Sequence, residues 1–273
     1  LVEAASLLLT VALADLARAF ARTVTWCWIL GLASAMLASL GLWAMLGYSW
    51  VVAALVLVIA ASWVLLVGVN PSVGATRIWP ALVLTVLVVV LATGYASEAH
   101  LNAQILALYE STPIAGAGVS WRVALAAASV TLFITRSANL IVRGAIVSRA
   151  AQAESSSPDE SSRISPIRPR WRVAWKNVEL ATIERAQESP RAHNELAGGR
   201  VIGPIERILL VALMLSGNAV IVAALVAAKG VVRFPEISAD RDGGLNAETF
   251  LVGSLTSWTI AAAAAALIWA AGP

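Results

Sequence analysis

At 273 residues, with 59% hydrophobic and 13% charged residues and a mean hydropathy of +0.81, the chain departs from soluble domains, which run about 45–50% apolar and about 25% charged. That balance excludes a water-soluble globular enzyme and identifies an integral membrane protein, with a net charge of +3. Its single cysteine, Cys27, excludes a disulfide, a CxxC redox pair and a cysteine-built zinc site.

Residues 1–22 place Glu3, Ser6, Thr10, Ala14 and Arg18 at helical spacing among Leu7, Leu8, Val11, Leu13, Leu16 and Phe20, the pattern of an amphipathic helix. Its clean apolar stretch is short, and Glu3 and Asp15 would be buried in a span. A helix at or along the inner face is therefore expected ahead of a seventh span. The acidic start and missing cleavage-like step argue against a signal peptide.

Apolar runs of membrane length follow at 24–46, 49–69, 78–96, 208–228 and 250–269. Each can cross a hydrocarbon core of about 30 Å as a helix, with Trp26, Trp28, Trp50, Trp79 and Trp269 near the ends, where amphipathic rings favour the interface. A sixth run, 119–142, is interrupted only by polar groups such as Arg136 and Asn139. A barrel would instead alternate over segments of roughly ten residues. The expectation is an all-α polytopic bundle of about six transmembrane helices plus the amphipathic N-terminal helix. It divides into that helix (1–22), a four-helix half (23–147), a partly disordered cytoplasmic linker (148–198) and a C-terminal hairpin (199–273).

Strict alternation places Arg18, Arg22, Arg77, the 148–198 segment, Arg207 and the C-terminus on the cytoplasmic side. Arg122, Lys229, Arg233 and Arg241 fall outside, a strong positive-inside bias. Within the linker, the Ser/Pro/acidic stretch 153–163 has the composition of disorder. The following segment interleaves Arg168, Arg170, Arg172 and Lys176 with Trp171 and Trp175. It fits one face of a helix or alternation in a strand, and periodicity alone does not choose. Such a patch suits a plain cytoplasmic loop or docking on anionic headgroups, each basic residue adding about 1 kcal/mol. Nucleic acid is the smallest of the three readings.

The remaining signal is polar residues at membrane depth. Arg136, Asn139 and Arg143 fall at i, i+3 and i+7, on one helical face. Glu206 and Arg207 open the next span just after Gly203 and Pro204. A buried arginine needs an acceptor, so an Arg136–Glu206 ion pair is expected at the inner face. Lys229, Arg233 and Glu248 form a second cluster, expected to close the outer end of the last hairpin. Asn218 stands beside Gly217 near the bilayer middle. These groups read either as clamps between helices or as a ladder for an ion or solute. A carrier more often shows broken helices and internal repeats. Gly31, Ala35 and Ser39, at four-residue spacing, offer a close-packing face, as does the alanine run 261–266.

Four segments carry a resemblance. They are S-W-R-V-A-L through A-N-L-I-V-R-G-A-I (120–146), G-R-V-I-G-P-I-E-R (199–207), A-A-K-G-V-V-R-F (227–234) and E-T-F-L-V-G-S-L-T-S (248–257). Together they resemble a group of uncharacterised bacterial polytopic membrane proteins with A-N-x-x-V-R, G-R-x-I-G-x-x-E-R, A-A-K-x-x-x-R-F and E-x-x-x-x-G-T-x-x-S helix-end motifs. Asn139, Arg143, Gly199, Arg200, Gly203, Glu206, Arg207, Lys229, Arg233, Phe234, Glu248, Gly253 and Ser257 occupy motif positions. Ser254 departs from the usual Thr, and Thr249-Phe250 stands where E-Y is common. The resemblance covers the second half of the chain outside the linker and implies a bacterial inner-membrane location, but no activity.

No nucleotide loop, nucleophile elbow or metal-ligand motif is present, so no catalytic residue, metal or cofactor is expected. The expected role is a non-enzymatic accessory, scaffold or regulatory subunit, with the lipid bilayer and another membrane protein or a second copy as partners. A transporter or channel for a small solute or ion is the second class. A lipid-modifying enzyme using Arg136, Arg143 and Glu206 around a headgroup phosphate is the third.

Overall fold

A computed structural model describes the backbone at residues 1–67, 79–94, 99–155, 170–175, 178–184, 199–238 and 245–272, and side chains at 1–67, 79–94, 99–147, 202–232, 234 and 247–272. Helix α1 (Val2–Arg18) is followed by α2 (Val24–Leu46), α3 (Trp50–Leu66) and α4 (Trp79–Gly94). Two short helices, α5 (Ala103–Glu110) and α6 (Pro113–Gly116), lead into α7 (Trp121–Thr135) and α8 (Ser137–Ser155). After a β-hairpin come α9 (Gly199–Leu215), α10 (Ala219–Ser238) and α11 (Leu245–Ala270). Helix α2 and residues 247–270 of α11 are each long and apolar enough to cross a membrane; α7 with 137–147 adds a third if the bent pair is one span. The shorter apolar helices are α3, α4 and 219–232 of α10.

Local chemistry sets several of these boundaries. Thr23, Ser49 and Ser120 cap α2, α3 and α7, each side-chain oxygen accepting from a first-turn N–H. Gly47 ends α2 at φ +60°, where a side chain would be strained, and its N–H bonds Trp43 O at 2.9 Å.

The N-terminal helix departs from the amphipathic expectation. It is not laid along one face of the bundle: α1 is enclosed by α2, α3, α4 and α7. Its polar residues Glu3, Ser6, Thr10, Asp15 and Arg18 are no more than 3% exposed. At the end of the stripe Asp15 and Arg18 bond to groups of neighbouring helices, while Thr10 bonds Ser6 O within α1 and Glu3 bonds the N-terminal amine. A 17-residue helix is about 25 Å long, so α1 forms the axis of this half.

Close approach to α1 and α3 explains the small-residue face of α2. Gly31, Ala35 and Ser39 are all buried, and the Ser39 hydroxyl donates to Ala53 O of α3 at 3.0 Å. This face therefore serves the chain's own neighbouring helices. A Cβ on Gly31 would stand 2.9 Å from Val64 Cγ1 and 3.0 Å from Arg18 Cδ. Gly31→Ala should destabilise by about 1–3 kcal/mol through overpacking. At Gly41 a Cβ meets nothing within 4 Å, and Gly41→Ala should gain about 0.5–1 kcal/mol of helix propensity. Thermal unfolding of both variants in detergent, followed by circular dichroism, checks the opposite signs.

A second group of helices gathers on α11, which packs against α7, α8 and α9, so α7 belongs to both groups. Gly253 admits Ile146 of α8, whose Cδ1 would lie 3.2 Å from an added Cβ. Two apolar runs expected as straight spans are broken. The 119–142 run bends by 43° between α7 and α8, at Arg136 with φ −128° and ψ −59°. The 208–228 run turns back on itself between α9 and α10, at Gly217 with φ +74°. Left-handed backbone of this kind suits glycine, and Asn218 Nδ2 donates to Ser216 Oγ at 2.9 Å across the turn.

Residues 170–175 and 178–184 resolve the helix-or-strand ambiguity in favour of strands. β1 (Arg170–Trp175) and β2 (Val178–Glu184) form an antiparallel pair. Arg170 is opposite Glu184, Trp175 is opposite Val178, and a register shift lies between Val173 and Ala174. Apart from this hairpin, the regular structure among the described residues is helical. Arg168 and Lys176 lie outside the described residues, and Arg170, Trp171, Arg172 and Trp175 are described by backbone alone.

Candidate functional site at the helix breaks

Asp15 anchors the break between α7 and α8. Its Oδ1 accepts from Arg18 Nη1 at 2.9 Å, and its Oδ2 accepts from Trp63 Nε1 at 3.0 Å and Ser137 Oγ at 2.7 Å. Arg18 also donates through Nη2 to Val67 O at the end of α3. One buried carboxylate thus ties α1, α3 and the first residue of α8. Charge-assisted hydrogen bonds of this kind are roughly twice as strong as neutral ones, and an anion at a helix start also complements the helix dipole.

Arg207 performs the complementary task from α9. It is 2% exposed and donates through Nε to Ser257 Oγ of α11 at 3.0 Å. Its Nη1 donates to Asn139 Oδ1 of α8 at 2.7 Å and to Ile134 O of α7 at 3.3 Å. A cation therefore meets the carbonyl end of α7 while Asp15 meets the start of α8. The break leaves orphan backbone groups at both helix ends, and each end receives the sign of charge its dipole favours. Gly203, one turn earlier on α9, lets Asn139 Oδ1 within 3.5 Å of where a Cβ would be.

Glu206 corrects two expectations. Its carboxylate accepts from Lys229 Nζ at 2.6 and 2.7 Å and from Trp258 Nε1 at 3.4 Å, and the Lys229 ammonium stands 5.8 Å from the Trp258 ring centroid. It is therefore committed to Lys229 and not to Arg136. Lys229 is correspondingly drawn away from the expected outer cluster. Along one straight helix, these positions 23 residues apart would be about 35 Å from each other. The fold-back at Gly217 removes that distance, so 208–228 is not a single straight crossing and Glu206 and Lys229 do not lie on opposite sides of a membrane. Asn218 occupies the exposed turn. Glu248 lies in the first turn of α11, and the Arg233 side chain is outside the described residues.

Arg136, Asn139 and Arg143 stand at the start of α8 and along it, the Arg136 carbonyl accepting from the Asn139 N–H at 3.0 Å, but their side chains meet different surroundings. Asn139 turns to Arg207, and Arg143 is exposed. Arg136 lies in electrostatic range of Asp15, Arg18, Cys27 and Arg143, and its Nε is buried without a partner.

Five members of these networks were not among the sequence candidates: Asp15, Arg18, Trp63, Ser137 and Trp258. The i, i+3 spacing of Asp15 and Arg18 inside an apolar helix was an available signal. So was Trp63 within a run, because an indole N–H taken out of water seeks an acceptor. Away from the charges, a groove of about 100 Å³ opens between α1, α4, α7 and α11, lined by Leu8, Leu84, Phe133, Ile260 and Leu267 among others. Its one hydroxyl, Thr85 Oγ1, bonds Ala81 O within its own helix at 2.9 Å.

No known family profile, characterised protein or solved structure matches the chain.

Proposed function

We propose that the chain is a non-enzymatic scaffold or regulatory subunit of a bacterial cytoplasmic-membrane assembly, docking a partner through its α9–α10 hairpin. The observation that carries this reading is how the hairpin is held. Glu206, Lys229 and Trp258 fasten its base, while among the described residues α10 packs chiefly on α9 and α11. Val220, Val231, Val232 and Phe234 are left 66–83% exposed. A rigid apolar arm with most of its girth unpartnered is suited to another membrane helix, for which packing is the main source of association. The helix-end motifs meet at the base of the hairpin: Asn139, Gly203, Arg207 and Ser257 are brought together, as are Glu206 and Lys229.

The proposed topology runs α1 and α2 as crossings, then α3, α4, the bent α7–α8 and α11, with α9–α10 entering and leaving on the inner side. This moves Lys229, Arg233 and Arg241 inside, leaving Arg122 as the basic residue of the outer side, in closer accord with the positive-inside bias. It also moves the end of α11 outside. In a Cys27→Ala background, Gly199→Cys and Ser238→Cys should both react with an impermeant maleimide from the cytoplasmic face. Reaction from opposite faces would remove the hairpin topology.

A photo-crosslinker at Val220 or Val231 in native membranes should give a discrete protein adduct that disappears in Glu206→Gln and Lys229→Met. Lipid adducts alone would sink the docking reading. A second reading, passage of a small ion or solute, draws on the two helix breaks, a feature of carrier sites. It predicts proteoliposome flux abolished by Glu206→Gln and Asn218→Leu in folded protein.

A further inference from the structure

We propose that Arg136 is the primary ligand of an anion site for a phosphate group, set at the start of α8 with Arg18 and Arg143 as its electrostatic surround. Arg136 lies in electrostatic range of two further cations, Arg18 and Arg143, and of one carboxylate, Asp15, which is itself ion-paired with Arg18 at 2.9 Å. Both oxygens of that carboxylate are already engaged, by Arg18, Trp63 and Ser137. Among the described residues the Arg136 side chain makes no hydrogen bond or ion pair, and its buried Nε is unpartnered. Arg18, 3% exposed, also keeps an unpartnered buried Nε. Two guanidinium N–H donors are thus out of water without acceptors in a region of net positive charge.

Leaving a buried donor unmatched costs about 1–3 kcal/mol, and more for a charged group. An incoming anion would satisfy the planar guanidinium fork of Arg136, the geometry that recognises phosphate in two parallel bonds. The 19-residue helix α8 starts at the next residue and adds a positive dipole end. Asp15 occupies part of that end but neutralises only one of the three cations. A lipid headgroup and a free phosphate present the same chemistry, and the experiment must separate them.

Cys27 is the one cysteine of the chain. It lies in range of Arg136 and its thiol contacts Arg18 O at 3.8 Å, so its reaction with a maleimide reports occupancy without an engineered label. The full chain in nonionic detergent would be given phosphatidylglycerol, phosphatidylcholine, or inorganic phosphate against chloride at equal ionic strength. Phosphatidylglycerol, and not phosphatidylcholine, should slow labelling about fivefold and raise the melting temperature, as a ligand of the folded state does. Slowing by inorganic phosphate as well would identify a free anion as sufficient. In either case the effect should vanish in Arg136→Gln, persist in part in Arg136→Lys and be unchanged in Arg122→Gln. If Arg136→Gln does not fold, Arg143→Gln should weaken the same protection. No protection by either phosphate source on the unaltered protein, or protection equal in Arg136→Gln, would overturn the site.

Discussion

Replacing Arg207 with Met should destabilise the protein by about 3–5 kcal/mol, because it leaves buried neutral acceptors unmatched, each at a cost of about 1–3 kcal/mol. Three acceptors lose their donor at once: Ser257 Oγ, Asn139 Oδ1 and Ile134 O. The Ile134 carbonyl is the most costly to abandon, since it lies where α7 stops and the next helix does not continue its ladder. Arg207→Lys should recover only a minority of the loss. A single ammonium on a flexible stem cannot reproduce bonds that leave the guanidinium from both Nε and Nη1. Unfolding in detergent by tryptophan fluorescence measures both variants, and a loss below about 1 kcal/mol for Arg207→Met would place this residue with ordinary surface charges.

The second large effect is expected at the other side of the same break. Asp15→Asn should cost about 3–5 kcal/mol, because it strands the Arg18 cation in a buried site. Adding Arg18→Met to Asp15→Asn should restore part of that loss by removing the stranded charge. The double-mutant cycle then gives a coupling energy well outside the few tenths of a kcal/mol typical of independent sites. Simple additivity of the two substitutions would show that Asp15 acts through Trp63 and Ser137 rather than through Arg18.

These two residues also show what the amino-acid sequence makes legible. Long apolar runs report their own character, and α2 and α11 were readable for that reason. Reversal of direction was not. The run 208–228 stays apolar through the point where the chain turns, so hydropathy registers one span. The contrary signal was Gly217-Asn218, a pair suited to left-handed turn backbone, yet it was read as a polar group at depth. Once the turn is misplaced, Lys229 is sent to the far side and Glu206 is left to seek Arg136.

The case of α1 is different. Its polar stripe has the same spacing whether it faces water or the donors of neighbouring helices. Periodicity identifies a face but not what covers it. The partners of Asp15 stand 48 and 122 residues away, at Trp63 and Ser137, and separations of that size carry no local pattern. Likewise, the spacing of Arg136, Asn139 and Arg143 places them along the start of α8, but it gives no sign that the chain bends by 43° beside Arg136 or that Asn139 meets Arg207, 68 residues away.

The central position of α1 imposes an order on biogenesis. This helix is made before its neighbours, and the wall formed by α7 and Ser137 follows 122 residues after Asp15. At a synthesis rate of about 5–20 residues per second, that interval is on the order of ten seconds. During it, Asp15 and Arg18 have each other and then Trp63 and Val67, but one side of the pair faces lipid or the insertion machinery. The ion pair, spanning less than one helical turn, does not wait unprotected: its i, i+3 spacing lets the charges neutralise one another before any tertiary partner exists. The nascent protein thus carries its own counter-ion through the stage at which a lone buried carboxylate would be least tolerated.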